Sequence, residues 1–362
     1  MTQYYLGIDL HKVFAYWHLT NTSGEVLWSG KVSANEKDTK TRLALLPVSL
    51  ARTVAAIESV EHYGWYANIL IECGVGEVKL ANPYKLRLIA ENPLKNDKKD
   101  AEIIASYLRS GTLPESYLAP ADIRDLRELV RTRMYLAKGR TSAKIRIRNA
   151  LSKHDLTCRY KDIDGERARA WLTNTVLPTE SRREVESLLR LITSLDNEIA
   201  DFEVAMKERA KHYPEVKTLK TIPGIADIRA LIIMAEVGDF SRFPNTNKLA
   251  AFAGLVPRSY SSGGKERLGR ITKRGSSLLR HAMVQAAQQA HPKWGELYIF
   301  YTNIKERTHT GAAKVALARK MLGICWHLVQ KNEPFRARSP IEPASSVDKS
   351  MIVIPRVAHH LR

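Results

Sequence analysis

Cysteine is scarce in this 362-residue chain. There are three, Cys73, Cys158 and Cys325, widely separated and not read as part of a metal-type pair. A disulfide framework is therefore not expected, and a reduced compartment is. Long apolar runs are also missing. No uninterrupted span reaches the length of a bilayer crossing, and no N-terminal stretch reads as a signal peptide, so the expectation is a soluble, cytoplasmic protein with no membrane partner. Acidic residues fall short of basic ones, 38 against 57, which leaves a formal charge of +19. An excess of that size favours a polyanionic partner, nucleic acid first. The 44% hydrophobic content is enough for real cores, and the length implies two or three domains.

The first 112 residues read as an α/β layer with a mixed sheet. Tyr4 to Leu10, Val13 to Thr20 and Val26 to Val32 are short β-rich runs, and Asn21-Thr-Ser-Gly24 signals a hairpin between the last two. A helical stretch around Thr41 to Leu50 leads to Thr53-Val-Ala-Ala-Ile-Glu58, an apolar strand ending in a carboxylate. A helix over Trp65 to Cys73 and a strand over Glu77 to Ala81 follow, stopped by Asn82-Pro83. Residues 113–214 turn helical and charged. Ile123 to Asn149 is dense in cations, among them Arg131, Lys138, Arg140, Lys144, Arg146 and Arg148, which suit either a solvated face or phosphate contact. Val185, Leu188, Ile192, Leu195, Ile199, Phe202 and Met206 then form a heptad seam, a coiled-coil signal that pairs within the chain or between chains, with self-association favoured.

The third region, residues 215–334, carries Thr221-Ile-Pro-Gly-Ile225 near its start. That run suits a phosphate-binding helical hairpin or a plain turn between core helices. A polar loop spans Arg258 to Gly275, helices are expected around Ser277 to Ala290 and Ala312 to Gln330, and residues 335–362, rich in Pro, Ser and Arg, read as a poorly ordered tail.

Four carboxylates carry the chemistry. Asp97 and Asp100 are three residues apart at a helix start, so both side chains reach one point in space. Asp9 closes the first strand and Glu58 the fourth, with Glu61 a rival for the Glu58 position. Singly, each is explained as a turn cap or a dipole charge. Together on three elements they suit a ribonuclease-H-like sheet, where oxygen ligands hold Mg2+ (or Mn2+) and paired ions assist phosphoryl transfer. His11 and His62 flank this set as supporting groups at most. In the loop, Ser261 and Ser262 sit among glycines and ahead of Lys265, Arg267, Arg270, Lys273, Arg274 and Arg280. A flexible turn explains them, and so does a serine nucleophile held against a phosphodiester by positive charge.

Several stretches in family order resemble the DEDD-type insertion-sequence transposases, the bridge-RNA-guided serine recombinases related to pilin-gene invertases. They are Gly7-Ile-Asp9-Leu-His-Lys12, Ile57-Glu58, Lys95-Asn-Asp97-Lys-Lys-Asp100-Ala, Ile222-Pro-Gly224, Ala250-Ala-Phe-Ala-Gly-Leu-Val-Pro257, Ser262-Gly263, and Ile271-Thr-Lys-Arg-Gly275 with Leu279-Arg280. The resemblance implies a RuvC-like N-terminal domain with the metal-binding tetrad Asp9, Glu58, Asp97 and Asp100. It further implies a coiled-coil middle and a mainly α C-terminal transposase domain with a catalytic serine, Ser262 by one alignment of the loop and Ser261 by another. It also implies a covalent phosphoserine intermediate, a homo-oligomer (dimer or tetramer), donor and target DNA, a structured guide RNA that supplies sequence choice, and a bacterial or archaeal, nucleoid-associated setting. The alternative is a RuvC-like nuclease or junction resolvase that uses water as nucleophile.

Overall fold

Runs of β-branched and aromatic residues open the chain as strands. The computed structural model describes residues 3–60, 62–89, 96–262 and 265–336, with the side chains of 87–89 and 259–268 outside that description. Glu61, Gly263 and residues 337–362, most of the expected tail, lie outside the described residues. The chain divides into two compact units, Met1–Asp125 and Leu126–Arg362.

In the first unit, β1 (Tyr4–Leu10), β2 (Phe14–Thr20) and β3 (Val26–Ser33) form an antiparallel meander. The strand β4 (Thr53–Glu58) adds parallel to β1, β5 (Glu77–Ala81) parallel to β4, and the short β6 (Glu115–Ser116) antiparallel to β5. The order β3-β2-β1-β4-β5-β6 is that of a ribonuclease-H-like mixed sheet, as expected. Five of the six residues of β4 are buried, as suits a central strand covered on both faces.

Helices cover both faces. On one, Leu6, Ile8, Leu10, Ala55, Ile57 and Leu80 pack with Leu43 of α1 (Glu36–Ala44) and with Tyr66, Ala67, Ile69 and Leu70 of α2 (Tyr63–Glu72). On the other, Val54, Ala56 and Ala81 meet Leu86 of α3 (Pro83–Ile89) and Ile104 and Leu108 of α4 (Asp97–Arg109). Helix α1 lies upstream of the expected Thr41 to Leu50. Asn35 starts it by accepting a hydrogen bond from the Asp38 backbone N–H at 2.8 Å, and Pro47 disfavours helix at Leu46.

The division between units falls within α5 (Ala121–Ser152), the expected basic helix. The second unit is mostly helical. It holds α6 (Glu166–Asn174), α7 (Thr179–Ala210), α8 (Pro214–Lys220), α9 (Asp227–Val237), α10 (Thr246–Phe252), α11 (Ser277–Gln288), α12 (Glu296–Arg307) and α13 (Thr310–Lys331). Every residue of α9 from Ala230 to Val237 is buried, and α13 packs against α10, α11 and α12. Along the α7 seam, Val185, Ile192, Ile199 and Met206 are buried at intervals of seven. Val185 and Ile192 share a core with Ala143, Ile147 and Ala150 of α5, so this part of the seam is filled within the chain. Gly224 turns α8 into α9 at φ +78°. A Cβ there would meet Trp294 at 2.8 Å and the Ala286 carbonyl oxygen at 2.9 Å, which makes the glycine a packing requirement between core helices.

The expected polar loop is instead a two-stranded hairpin, β7 (Pro257–Ser262) with β8 (Lys265–Ile271). Among the described residues no helix is long and apolar enough to cross a membrane.

One contact sets the height of α4 on the sheet. A Cβ on Gly7 would overlap the Ala101 carbonyl oxygen and lie 2.5 Å from the Ala105 nitrogen, so β1 and α4 touch backbone to backbone. Gly7→Ala should destabilise the protein by about 1–3 kcal/mol or more, as overpacking does. Urea unfolding of the variant checks this, and an unchanged midpoint would show that α4 shifts freely.

Candidate active site

The parallel register pairs Gly7 with Ala56 and Ile8 with Ile57. One step further along both strands brings Asp9 beside Glu58. Because side chains alternate, Gly7 and Asp9 share the face on which α4 lies, as do Ala56 and Glu58. Helix α4 begins at Asp97, where the Asn96 side chain accepts a hydrogen bond from the Lys98 N–H at 3.1 Å. Asp97 precedes Ala101 by four residues, roughly 6 Å of helix. Asp9 follows Gly7 by two residues, roughly 7 Å of strand. Seating Ala101 on Gly7 therefore delivers the first turn of α4, with Asp97 and Asp100, to the end of β1.

His11 completes the arrangement. Its Nε2 lies 3.0 Å from Asp9 Oδ2 and 3.4 Å from Asp97 Oδ1. The turn that leaves β1 holds it: the His11 N–H donates to the Phe14 carbonyl at 2.8 Å, and the two rings stand 4.8 Å apart. Sequence reasoning gave His11 a supporting place. The signal for more was its position two residues after Asp9 at a strand end, which the turn folds back over the carboxylate.

Asp9 is 3% exposed. Burial raises its carboxyl above the usual carboxylate range; the His11 hydrogen bond and charge act in the opposite sense, and Asp100 and Asp97 add to the rise. One atom each from Asp9, His11 and Asp97 lie within 4.8 Å of one another. This donor set of carboxylate oxygens and one imidazole fits a divalent cation, which would compensate the buried charge. Glu58 is half-buried at the end of β4, Asp100 sits one turn into α4, and His62 stands at the N-cap of α2; none belongs to the close group.

The cations of α5 are largely engaged inside the second unit. Arg131 Nε lies 2.9 Å from Glu236 Oε1, Arg140 2.9 Å from Asp196, Lys144 2.9 Å from Asp162 and Arg146 2.6 Å from Glu184, while Arg148 donates to the Lys161 carbonyl at 2.6 Å. The Arg140 and Arg146 pairs, open to solvent, contribute roughly 0.2–1 kcal/mol each and yield readily to a phosphate, whereas Lys144 is half-buried and also pairs with Asp164, whose side chain is 8% exposed. The Arg131 pair differs, since Glu236 is 3% exposed and its carboxylate also accepts from Ser276, while the Arg131 side chain stays open to solvent. Lys138 is exposed and makes no ion pair among the described residues.

The serine hairpin is fixed at its base. The Thr272 N–H donates to the Val256 carbonyl and the Ser276 N–H to the Phe252 carbonyl, both at 2.8 Å. A Cβ on Gly254 would lie 2.5 Å from the Arg274 carbonyl oxygen, and one on Gly275 would overlap that of Phe252. Both glycines have positive φ. Ser276 caps α11 and donates to Glu236 at 2.8 Å, a support that sequence reasoning missed because its partner lies forty residues away. In the ladder Ser262 pairs with Lys265 and Ser261 with Glu266. Arg270, Lys273 and Arg274 are exposed, and Arg280 Nη1 donates to the Ala253 carbonyl at 3.0 Å. The side chains of Lys265 and Arg267 lie outside the description.

A ribonuclease-H-like sheet whose carboxylates converge at the ends of β1 and α4 defines a nuclease-type domain built for divalent metal. The DEDD transposase family model of IS110 matches residues 6–154, and the model for the transposase IS116/IS110/IS902 family matches residues 216–299. The transposase for insertion sequence element IS1111A of Coxiella burnetii is 30% identical over 75% of this chain and 76% of its own length. The transposase for IS1328 of Yersinia enterocolitica is 26% identical over 91% and 98%, and the pilin gene-inverting protein of Moraxella bovis is 30% identical over 41% and 46%. The chain belongs to the IS110/IS116/IS902 family of transposases, enzymes that act on DNA.

A raised carboxyl means that the folded state holds the Asp9 proton more tightly than the unfolded chain does. Its contribution to stability is therefore most favourable at pH values below the ordinary carboxylate range, and is lost as pH rises through the raised value. In chelator at pH 7, Asp9→Asn should unfold at higher urea than wild type, with the gap closing toward pH 3. A destabilised Asn variant at pH 7 would mean that the His11 bond outweighs the burial cost.

Proposed function

We propose that the protein cuts and rejoins DNA through a covalent phosphoserine intermediate, with Ser262 as nucleophile and Asp9, Glu58, Asp97 and Asp100 as the metal-binding set. The observation that carries this reading is the hairpin. Ser261 and Ser262 end β7 in a ladder with Glu266 and Lys265, and the exposed Arg270, Lys273 and Arg274 follow in the chain, positive charge that suits a phosphodiester at the serines. The Ser262 oxygen attacks phosphorus, the serine–phosphate bond forms, the bond to the leaving deoxyribose oxygen breaks, and that oxygen takes up the proton. A hydroxyl end of the partner strand reverses the step and frees the serine. Bound divalent ions (Mg2+ or Mn2+) supply Lewis acidity at the phosphate.

The carboxylates and the serine lie in separate units of the chain, which suits a site assembled in a homo-oligomer, a dimer or tetramer. The remaining positive charge suits donor and target DNA together with a structured guide RNA that supplies sequence choice. Lys138, Lys265, Arg267, Arg270, Lys273 and Arg274 are the foremost phosphate contacts in this reading. Arg131, Arg140, Lys144, Arg146, Arg148 and Arg280 serve the fold first and nucleic acid second.

Trapping on supercoiled DNA tests the chemistry. Wild type and Ser261→Ala should yield protein-linked DNA and Ser262→Ala none; cleavage by Ser262→Ala without any adduct would favour water as nucleophile. Affinity for RNA or DNA should fall steeply with salt, and Lys138→Ala should lower the slope of log K against log salt by about one. An unchanged slope would remove Lys138 from the interface.

A further inference from the structure

We propose that His11 is itself a metal ligand, adding an imidazole nitrogen to the carboxylate site and biasing it toward Mn2+ over Mg2+. This rests on the reading of Asp9 and Asp97 as metal-binding residues, and it names a donor outside the acidic tetrad. The geometry points to it in three ways. First, Nε2 faces two carboxylates from two different elements, at 3.0 and 3.4 Å. A single N–H satisfies only one of them well. Donor atoms that are neighbours around an octahedral ion, at bonds of roughly 2.1 Å, stand roughly 3 Å apart, which is the spacing already present. Second, the ring is held in place by the His11–Phe14 turn and by the Phe14 ring, so little rotational freedom is lost on ligation. Third, the imidazole is 44% exposed, so an ion reaches Nε2 from solvent while Asp9 anchors the buried side.

The donor chemistry sets the preference. Mg2+ favours oxygen ligands and keeps its waters, whereas imidazole suits later divalent ions, and Mn2+ accepts it more readily than Mg2+ does. Ligation uses the Nε2 lone pair, so the ring proton then resides on Nδ1. A histidine that only clipped Asp9 by a hydrogen bond would keep its proton on Nε2 and give the ion no nitrogen.

Pulsed electron paramagnetic resonance on the full chain loaded with Mn2+ separates the two. Wild type should show hyperfine coupling to a directly bound imidazole nitrogen, and His11→Ala and His11→Gln should lose it. Mn2+ affinity should fall about tenfold or more in both variants, and Mg2+ affinity, measured by competition, by much less. Mn2+ bound to wild type without nitrogen coupling, or equal falls for both ions, overturns the proposal while leaving the carboxylate site intact. If wild type binds no Mn2+, or Asp97→Asn binds it as well as wild type, the carboxylate reading fails too.

Discussion

The first unit depends on how closely one helix approaches one strand. Gly7 has no side chain, and the backbone of α4 at Ala101 and Ala105 occupies the space where one would be. Helices usually stand on sheets at a distance set by side chains between them. Here the separation is set by main-chain contact, which packing changes elsewhere alter little. Asp9 and Asp97 are a fixed number of residues from that contact, in opposite directions along their elements. The convergence of the carboxylates is thus a consequence of chain geometry more than of attraction, since like charges gathered beside a buried Asp9 oppose it.

Charge is distributed unevenly through the molecule. The formal +19 suggests a uniformly basic surface. In the second unit, however, much of the positive charge of α5 is neutralised by Asp196, Glu184, Asp162 and the buried Glu236. Exposed cations remain on Lys138 and on the segment that runs from β8 into α11. Glu236 connects the two regions, because its carboxylate accepts from both Arg131 and Ser276. The helix that looks most like a nucleic-acid surface is in good part a structural member, and it braces the segment on which the hairpin rests.

Much of this was legible in the sequence where local rules act alone. The strands β1 to β5 followed from β-branched runs and turn residues, and Asn96 ahead of Asp97 carried a cap and an acidic first turn together. The α7 seam was visible in its period, but periodicity is silent about which helix fills it, and Ala143, Ile147 and Ala150 do so in part. The hairpin was hidden because Arg258-Ser-Tyr-Ser-Ser alternates no apolar residues; its strands are joined by a ladder on a glycine-fitted base. Helix α1 was misplaced because the apolar residues Leu43 to Leu46 outweighed the polar cap at Asn35. The pairings of Arg131 and Arg140, and the bridging position of His11, depend on elements distant in sequence or on a turn's exact path. No spacing rule contains them.

The hairpin base has a metrical consequence. With Gly254 and Gly275 fitted against Arg274 and Phe252, the ladder rises from a fixed base, and Ser262 stands five residues along β7 from Pro257, at most roughly 17 Å of strand because the register shifts between Pro257 and Ser259. The reach of the serine is then a matter of strand length, as on a ruler fixed at its zero. Substitutions along the ladder change what the strands display without changing that reach. A pair of residues added to each strand would carry the tip roughly 7 Å further in one step and preserve the alternation of faces. A single added residue would instead reverse the alternation of faces beyond it.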